Sequence, residues 1–180
     1  MAVSDRLEGK NIILDPVSVE DAKFTMDIRA DEALNEFIPC FDTTEEKQRA
    51  WIESQRAKVG DYFYIIKSKS GEKRGTCAIY DVDTKEDIAE YGRFISYGNA
   101  LENVEAALLV IQYAFAELGI TRIMLNNDAR NKRIISFWRR FGAEYDGDYD
   151  YGTWTAARYI ITKAGFESSR AKIDKMLERV

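Results

Sequence analysis

The segment from Ala89 to Ala143 constrains this chain most, because its apolar spacing changes period repeatedly over a short stretch. The strand beginning at Ile88 is rich in β-branched and aromatic residues as far as Tyr97. Val104 to Leu118 then places apolar side chains at helical spacing and stops at Gly119, suited to a C′ position. Ile120–Leu125 is again strand-like, and Arg130–Phe141 again helical, stopped by Gly142. A strand, a helix and a returning strand in that order predict a βαβ unit with a right-handed crossover.

The flanking sequence supplies the partners such a unit needs. Gly9–Pro16 reads as a short strand, and Ser18-Val-Glu-Asp21 as a capping box opening a helix from about Val19 to Ala30. A second match, Thr43-Thr-Glu-Glu46, opens a helix through Trp51 and Ile52 to about Val59, closed by Gly60-Asp61. Tyr62–Lys67, Gly75–Val82 and the strand from Ile88, separated by short polar turns, predict an antiparallel meander. Trp154–Thr162 is a further strand. Phe166–Val180 is a terminal amphipathic helix with Phe166, Ile173, Met176, Leu177 and Val180 on one side. Asp146–Gly152 has the acidic spacing of a calcium loop, but Tyr151 stands where glycine is needed and Ala157 where the closing glutamate belongs. It is expected to be an acidic loop or a solvated turn.

Composition narrows the chemistry. At 180 residues, 46% hydrophobic and 32% charged, the chain is long enough for one globular domain spanning residues 1–180. No apolar run approaches the roughly 18 residues needed to span a bilayer, and the N-terminus lacks the layout of a signal peptide, so a soluble cytoplasmic protein is expected. Cys40 and Cys77 are too few and too scattered for a disulfide framework or a metal site, and no metal is expected. The absence of histidine excludes Ser-His-Asp and Cys-His catalysis, histidine-ligated zinc and imidazole as a base. A proton acceptor must then be a carboxylate, tyrosine, lysine, substrate or water. The net charge of −5 argues against a nucleic-acid partner and suits a cationic substrate.

Antiparallel strands, a βαβ unit, a helix opening with Asn131 and closing on Phe141-Gly142-Ala143, and a final strand follow one another here. That order, from Leu7 to about Lys163, resembles the GNAT superfamily of acyl-CoA N-acyltransferases. Leu7–Pro16, the Asp31 region, Trp51-Ile52, Ala89–Gly92, Glu105–Leu109 and Tyr113–Gly119 are similar to the branch of the ribosomal-protein N-terminal acetyltransferases of RimJ/RimL type. The resemblance implies an α/β (α+β) fold with a mixed, mostly antiparallel sheet flanked by helices and a splayed parallel strand pair at the acyl-CoA site. It implies acetyl-CoA as co-substrate and an amine-bearing acceptor, which in this superfamily is an amino sugar, a polyamine or a protein N-terminus. A homodimer is compatible with it, and no membrane is implied. The alternative function is a CoA-binding module with little or no catalysis, acting in regulation or interaction.

Acetyl-CoA asks a fold for a strand edge to pair with its pantetheine amides, backbone N–H groups for its pyrophosphate, and basic side chains. A strand running through a tight loop into a helix N-terminus supplies the first two. Here that piece is Ile95, Ser96 and Tyr97, followed by Gly98 to Val104 with Asn99, Leu101, Glu102 and Asn103. Aligned on the family's Arg/Gln-x-x-Gly-x-Gly/Ala loop, Gly98 takes the basic position and Leu101 and Asn103 the two glycines. Asn103 tolerates left-handed geometry and caps helices. The resemblance adds Asn131, Arg133 and Phe137 on the following helix as CoA contacts, in a helix also made basic by Arg130, Lys132, Arg139 and Arg140. It places Trp138 where many relatives have a tyrosine acid. Indole N–H cannot release a proton at neutral pH, so Tyr145 is the candidate acid, with Tyr97, Tyr149 and Ser136 as lesser ones. Glu90 is the candidate base, and a structural ion pair with Arg93 or a neighbouring-strand cation is the competing role.

Overall fold

The computed structural model describes residues 5–38 and 42–178; Cys40 and Val180 lie outside them. Eight strands form one sheet: β1 (Leu7–Glu8), β2 (Ile12–Pro16), β3 (Tyr62–Ser68), β4 (Lys73–Asp83), β5 (Ile88–Ser96), β6 (Arg122–Asp128), β7 (Ala143–Asp150) and β8 (Thr155–Thr162). The spatial order is β1-β2-β3-β4-β5-β6-β8-β7. Every neighbouring pair is antiparallel except β5 and β6, which are parallel. The helix between them, α3 (Ala100–Glu117), is the crossover of the expected βαβ unit. The other helices are α1 (Ala22–Ala30), α2 (Glu45–Ala57), α4 (Lys132–Arg139) and α5 (Lys163–Glu178). The fold is thus the mixed sheet with flanking helices and one parallel pair that the GNAT resemblance implies. No helix among the described residues is long and apolar enough to cross a membrane.

The central strands are apolar on both faces because helices cover both. In β3, Phe63 and Ile65 belong to one buried cluster with Val17, Ala22, Ile52 and Ala78, on the side of α1 and α2. Tyr64 and Ile66 alternate with them and join the larger cluster, which includes Cys77, Ile79, Val104, Leu108, Ile111 and Phe115 beneath α3. Period-two alternation therefore sorts one continuous apolar run into two half-cores.

Caps explain most helix starts. Asp21 Oδ2 accepts from the Ser18 N–H at 2.8 Å and the Ser18 hydroxyl at 3.0 Å, closing the capping box through one 3-10 turn before α1. Thr44 Oγ1 accepts from the Lys47 N–H at 3.3 Å, so α2 is capped one residue later than the Thr43 match suggested.

Two elements depart furthest from expectation. The helix expected from Val104 starts at Ala100, because Asn99 rather than Asn103 is its N-cap. The acidic segment Asp146–Gly152 is neither loop nor turn over most of its length. Its residues through Asp150 belong to edge strand β7, paired with β8 from Ala143↔Ile161 to Asp150↔Thr155. β7 is exposed along most of its length, so its polar composition reflects a solvated edge.

Glu105 shows how α3 is tied to the N-terminal hairpin. Although buried, its carboxylate accepts from the Lys10 N–H at 2.7 Å, the Asn11 N–H at 2.7 Å and the Ile12 N–H at 3.1 Å. These are charge-assisted bonds that satisfy the turn between β1 and β2. Glu105→Ala is therefore expected to destabilise the protein by about 3 kcal/mol, measured by urea denaturation. A loss below about 1 kcal/mol would show that water replaces the carboxylate at no cost.

Candidate active site

A cavity of about 670 Å³ opens where β5 and β6 part. The two strands pair only over Ile88↔Arg122, Ala89↔Ile123 and Glu90↔Met124. Beyond that point β5 follows a bulge. Thr76 lies opposite Ile95 and Ala78 opposite Gly92, so β5 accommodates Arg93 and Phe94 where β4 has Cys77 alone. Arg93 takes a left-handed φ of 51°, and its carbonyl accepts from Thr76 Oγ1 at 2.7 Å. The bulge bends β5 away from β6, leaving each strand a free edge on the wedge between them. Both inner edges, from Tyr91 to Ser96 and from Asn126 to Asp128, line the cavity.

Aromatic side chains floor the wedge. Phe94 stacks on Phe137 at 5.8 Å and 21°, and Tyr91 meets Trp138 edge-on at 4.8 Å. Trp138 is 2% exposed and donates through Nε1 to Asn127 Oδ1 at 3.2 Å. It is thus a packing residue with its only proton donor engaged. Tyr91 is held fully protonated by its burial, followed by the neighbouring Cys77 thiol. The Cys77 thiol is in turn pushed up to about 12 by burial.

On the α1/α2 side the bulge presents Arg93 to a buried partner. Nη1 donates to Asp61 Oδ1 and Nη2 to Asp61 Oδ2, each at 2.7 Å, and Nη2 also reaches Gln55 Oε1 at 3.2 Å. The guanidinium lies 4.4 Å from the ring centroid of Tyr80, 5.1 Å from that of Trp51 and 5.2 Å from that of Phe63. Glu90 does not pair with Arg93. Its Oε1 accepts from the Tyr80 hydroxyl at 2.7 Å. The phenol pKa is raised, first by burial and then by the adjacent Glu90 charge. A Cβ on Gly92 would come within 2.5 Å of the Tyr80 hydroxyl, so this position has room for glycine alone. Tyr80, Gly92 and Arg93 line the cavity, while Glu90 stands behind Tyr80.

The residues expected to bind CoA divide into two groups. Ile95, Ser96, Asn103, Val104, Asn131, Arg133 and Phe137 line the cavity. Tyr97, Asn99, Leu101 and Glu102 do not. Tyr97 points away and donates to Asp31 Oδ2 at 2.8 Å, a bond that raises its pKa. Asn99 and Glu102 cap α3. Asn131 both lines the cavity and caps α4, its Oδ1 accepting from the Ile134 N–H at 3.1 Å. Tyr145 lies on β7 outside the cavity wall, 55% exposed and edge-on to Tyr159 at 5.5 Å; the neighbouring Asp148 carboxylate raises its pKa.

Sequence reasoning missed Tyr80, Arg93 as a wall residue, Asp61 and the Asn126–Asp128 end of β6. An arginine inside an otherwise apolar strand segment and an aspartate just before another were the available signal, since such charges are seldom buried unpaired. The wall also has a charge balance opposite to that of the chain. Its charged residues are Arg29, Arg93, Arg133, Arg140 and Asp128, with Asp128 bound by Arg130 at 2.7 Å. Among the described residues no cluster of carboxylate or cysteine groups could hold a metal ion.

The wedge fits a pantetheine arm. It offers two strand edges with unpaired backbone groups, and two buried amide atoms of its wall residues, Asn103 Oδ1 and Asn127 Nδ2, lack a hydrogen-bond partner.

Comparison with known proteins agrees with this architecture. No curated protein matches the sequence. The chain is similar in structure to apo FdhC, described as a nucleotide-linked sugar GNAT, at a TM-score of 0.82 and 23% identity over 97% of this chain and 99% of that one. It is similar to a GCN5-related N-acetyltransferase from Brucella melitensis at 0.80 and 17% identity, over 96% and 85% of the two chains. Mutant forms of the spermidine/spermine N-acetyltransferase SpeG from Vibrio cholerae superpose at 0.74 and 10% identity, over 90% and 99%. The sequence model of the acetyltransferase (GNAT) domain matches residues 11–144, which span the meander, the bulged β5, the crossover helix and the wedge. The chain belongs to the GNAT acetyltransferase family.

Proposed function

We propose that this protein moves an acetyl group from acetyl-CoA directly to a primary amine, without a covalent enzyme intermediate. The observation behind this reading is the wedge between β5 and β6, which opens into a cavity where Tyr80 stands in the wall with Glu90 hydrogen-bonded behind it. Bound in the wedge, acetyl-CoA supplies an activated thioester carbonyl. The free edges of β5 and β6 hold the pantetheine amides, and Asn131, Phe137 and Arg133 flank the arm. The acceptor enters from the side of Trp51, Phe37 and Trp154. As the C–N bond forms, the ammonium proton passes to the Tyr80 oxygen while the Tyr80 hydroxyl proton moves to Glu90. This concerted hand-off needs no free phenolate, which suits a phenol of raised pKa. The C–S bond then breaks to release a thiolate, and a thiol with pKa about 8.5 leaves without a dedicated acid. That accommodates the buried Trp138.

The acceptor class we favour is an amino sugar. The one carboxylate that lines the cavity among the described residues, Asp128, is bound by Arg130, so no wall group is placed to hold the second ammonium of a polyamine. A protein N-terminus is the second class, supported by the sequence resemblance to the ribosomal-protein branch. Release of free thiol from acetyl-CoA, followed across an amino sugar, spermidine and a short peptide, tests the proposal. Amine-dependent release with the sugar exceeding spermidine is expected. Thermal stabilisation by CoA with no release for any amine would instead identify a CoA-binding module.

A further inference from the structure

The N-terminus of α3 opens onto the cavity through Ser96, Gly98, Ala100 and Asn103. Such a terminus ordinarily favours an anion, through its unpaired N–H groups and its dipole. Here, from Tyr97 to Asn103, the chain has already used all of them but that of Ala100. The Asn99 N–H is donated to Glu102 Oε2 at 2.9 Å, and the Leu101 and Glu102 N–H groups to Asn99 Oδ1 at 2.9 and 3.0 Å. The Gly98 N–H goes to Ser96 Oγ at 2.8 Å, the Tyr97 N–H to the Arg74 carbonyl at 2.7 Å, and the Asn103 N–H to the Asn99 carbonyl at 3.0 Å. Glu102 is 9% exposed, so a carboxylate is built into the terminus rather than lying over it. Its nearest cation, Arg74, is 3.7 Å away at Nε and is shared with Glu72.

We propose that Glu102 sets the charge selectivity of the acyl-donor site. Its carboxylate takes the place at the α3 terminus that a donor diphosphate would otherwise fill. Donor affinity then comes from the pantetheine arm in the β5–β6 wedge, and the diphosphate is left to side-chain cations such as Arg133 and Arg140 at the cavity wall. The inference rests on the acetyl-CoA reading above and deepens it.

Calorimetric titration with CoA and with pantetheine, which lacks the phosphates, tests this without any turnover. Glu102→Gln is the informative variant, because glutamine also completes a capping box and the α3 cap is kept. It is expected to tighten CoA about fivefold and leave pantetheine unchanged. The wild-type protein is expected to prefer CoA to pantetheine by no more than about tenfold, with a shallow salt dependence. A CoA preference above a hundredfold in the wild type would overturn the inference, even if the variant failed to fold, and leave the donor reading standing. So would a Glu102→Gln protein with unchanged CoA affinity. Failure of the wild-type protein to bind either ligand would overturn the donor reading and this inference together.

Discussion

Glu90→Gln is expected to lower kcat/KM for amine acetylation by about 100-fold to 1,000-fold, the range typical for loss of a positioned proton acceptor. Glu90 is the acceptor at the far end of a bond from Tyr80, and the amide cannot take up the proton that the hydroxyl gives away. Tyr80→Phe should cause a loss of similar size, because it removes the hydroxyl between acceptor amine and carboxylate. The double variant should be little worse than either single one, since the two groups act as one relay. Affinity for CoA should not change in any of the three, as neither residue belongs to the β5–β6 wedge edge where the arm is held. The residual rate should rise with pH as the free amine fraction of the acceptor grows. Steady-state kinetics across pH give the answer directly. Turnover that survives Glu90→Gln unchanged would remove both residues from the mechanism.

Asp61→Ala should have the largest effect on stability. Asp61 holds both terminal nitrogens of Arg93 at 2.7 Å, and its side chain is 1% exposed against 15% for Arg93. Truncation leaves a guanidinium among the rings of Trp51, Phe63 and Tyr80 with Gln55 Oε1 as its one side-chain acceptor among the described residues. Breaking a buried pair from one side costs about 3–5 kcal/mol, which for a chain of this size lowers Tm by roughly 10 °C. Arg93 is itself the left-handed residue of the β5 bulge, so the loss should extend to the site. Weaker binding of CoA by the surviving folded fraction would report a wedge that has begun to close. Asp61→Asn, which keeps one acceptor oxygen, should fall between. Chemical denaturation followed by tryptophan fluorescence measures all three proteins. An Asp61→Ala loss below about 1 kcal/mol would show that solvent reaches Arg93 in the folded state.

These two variants concern residues of unequal visibility in the sequence. Glu90 was legible because a carboxylate within an apolar strand of a recognisable family segment stands out. Its partner was not, because Tyr80 is ten positions away on β4 and the two meet only through the Tyr80↔Glu90 register of the β4–β5 ladder. The bulge that sets this register beyond them has no signature of its own, since Arg93 is an unusual residue at positive φ. Asn99 was visible as a polar residue before a helix, yet the start of α3 was placed at Val104. Apolar periodicity begins there, whereas the caps precede it by a full turn. β7 was hidden for a related reason. An edge strand with both faces largely solvated shows no alternation to detect.

What the sequence determined by itself was the order of elements apart from β1 and β7, the crossover between parallel strands and the family. The first two follow from local periodicity, caps and stops that each segment states independently of the others, and the family from the resemblance of its motifs. The absence of histidine likewise settled the kinds of proton acceptor available. The tertiary structure decided which side chains meet. It closed the β5–β6 pairing after three residues, set the Tyr80 hydroxyl against Glu90, and buried Arg93 against Asp61. Contacts of this kind depend on strand register and on one extra residue in one strand. Neither quantity is stated by any single segment, and both exist only once the strands have paired.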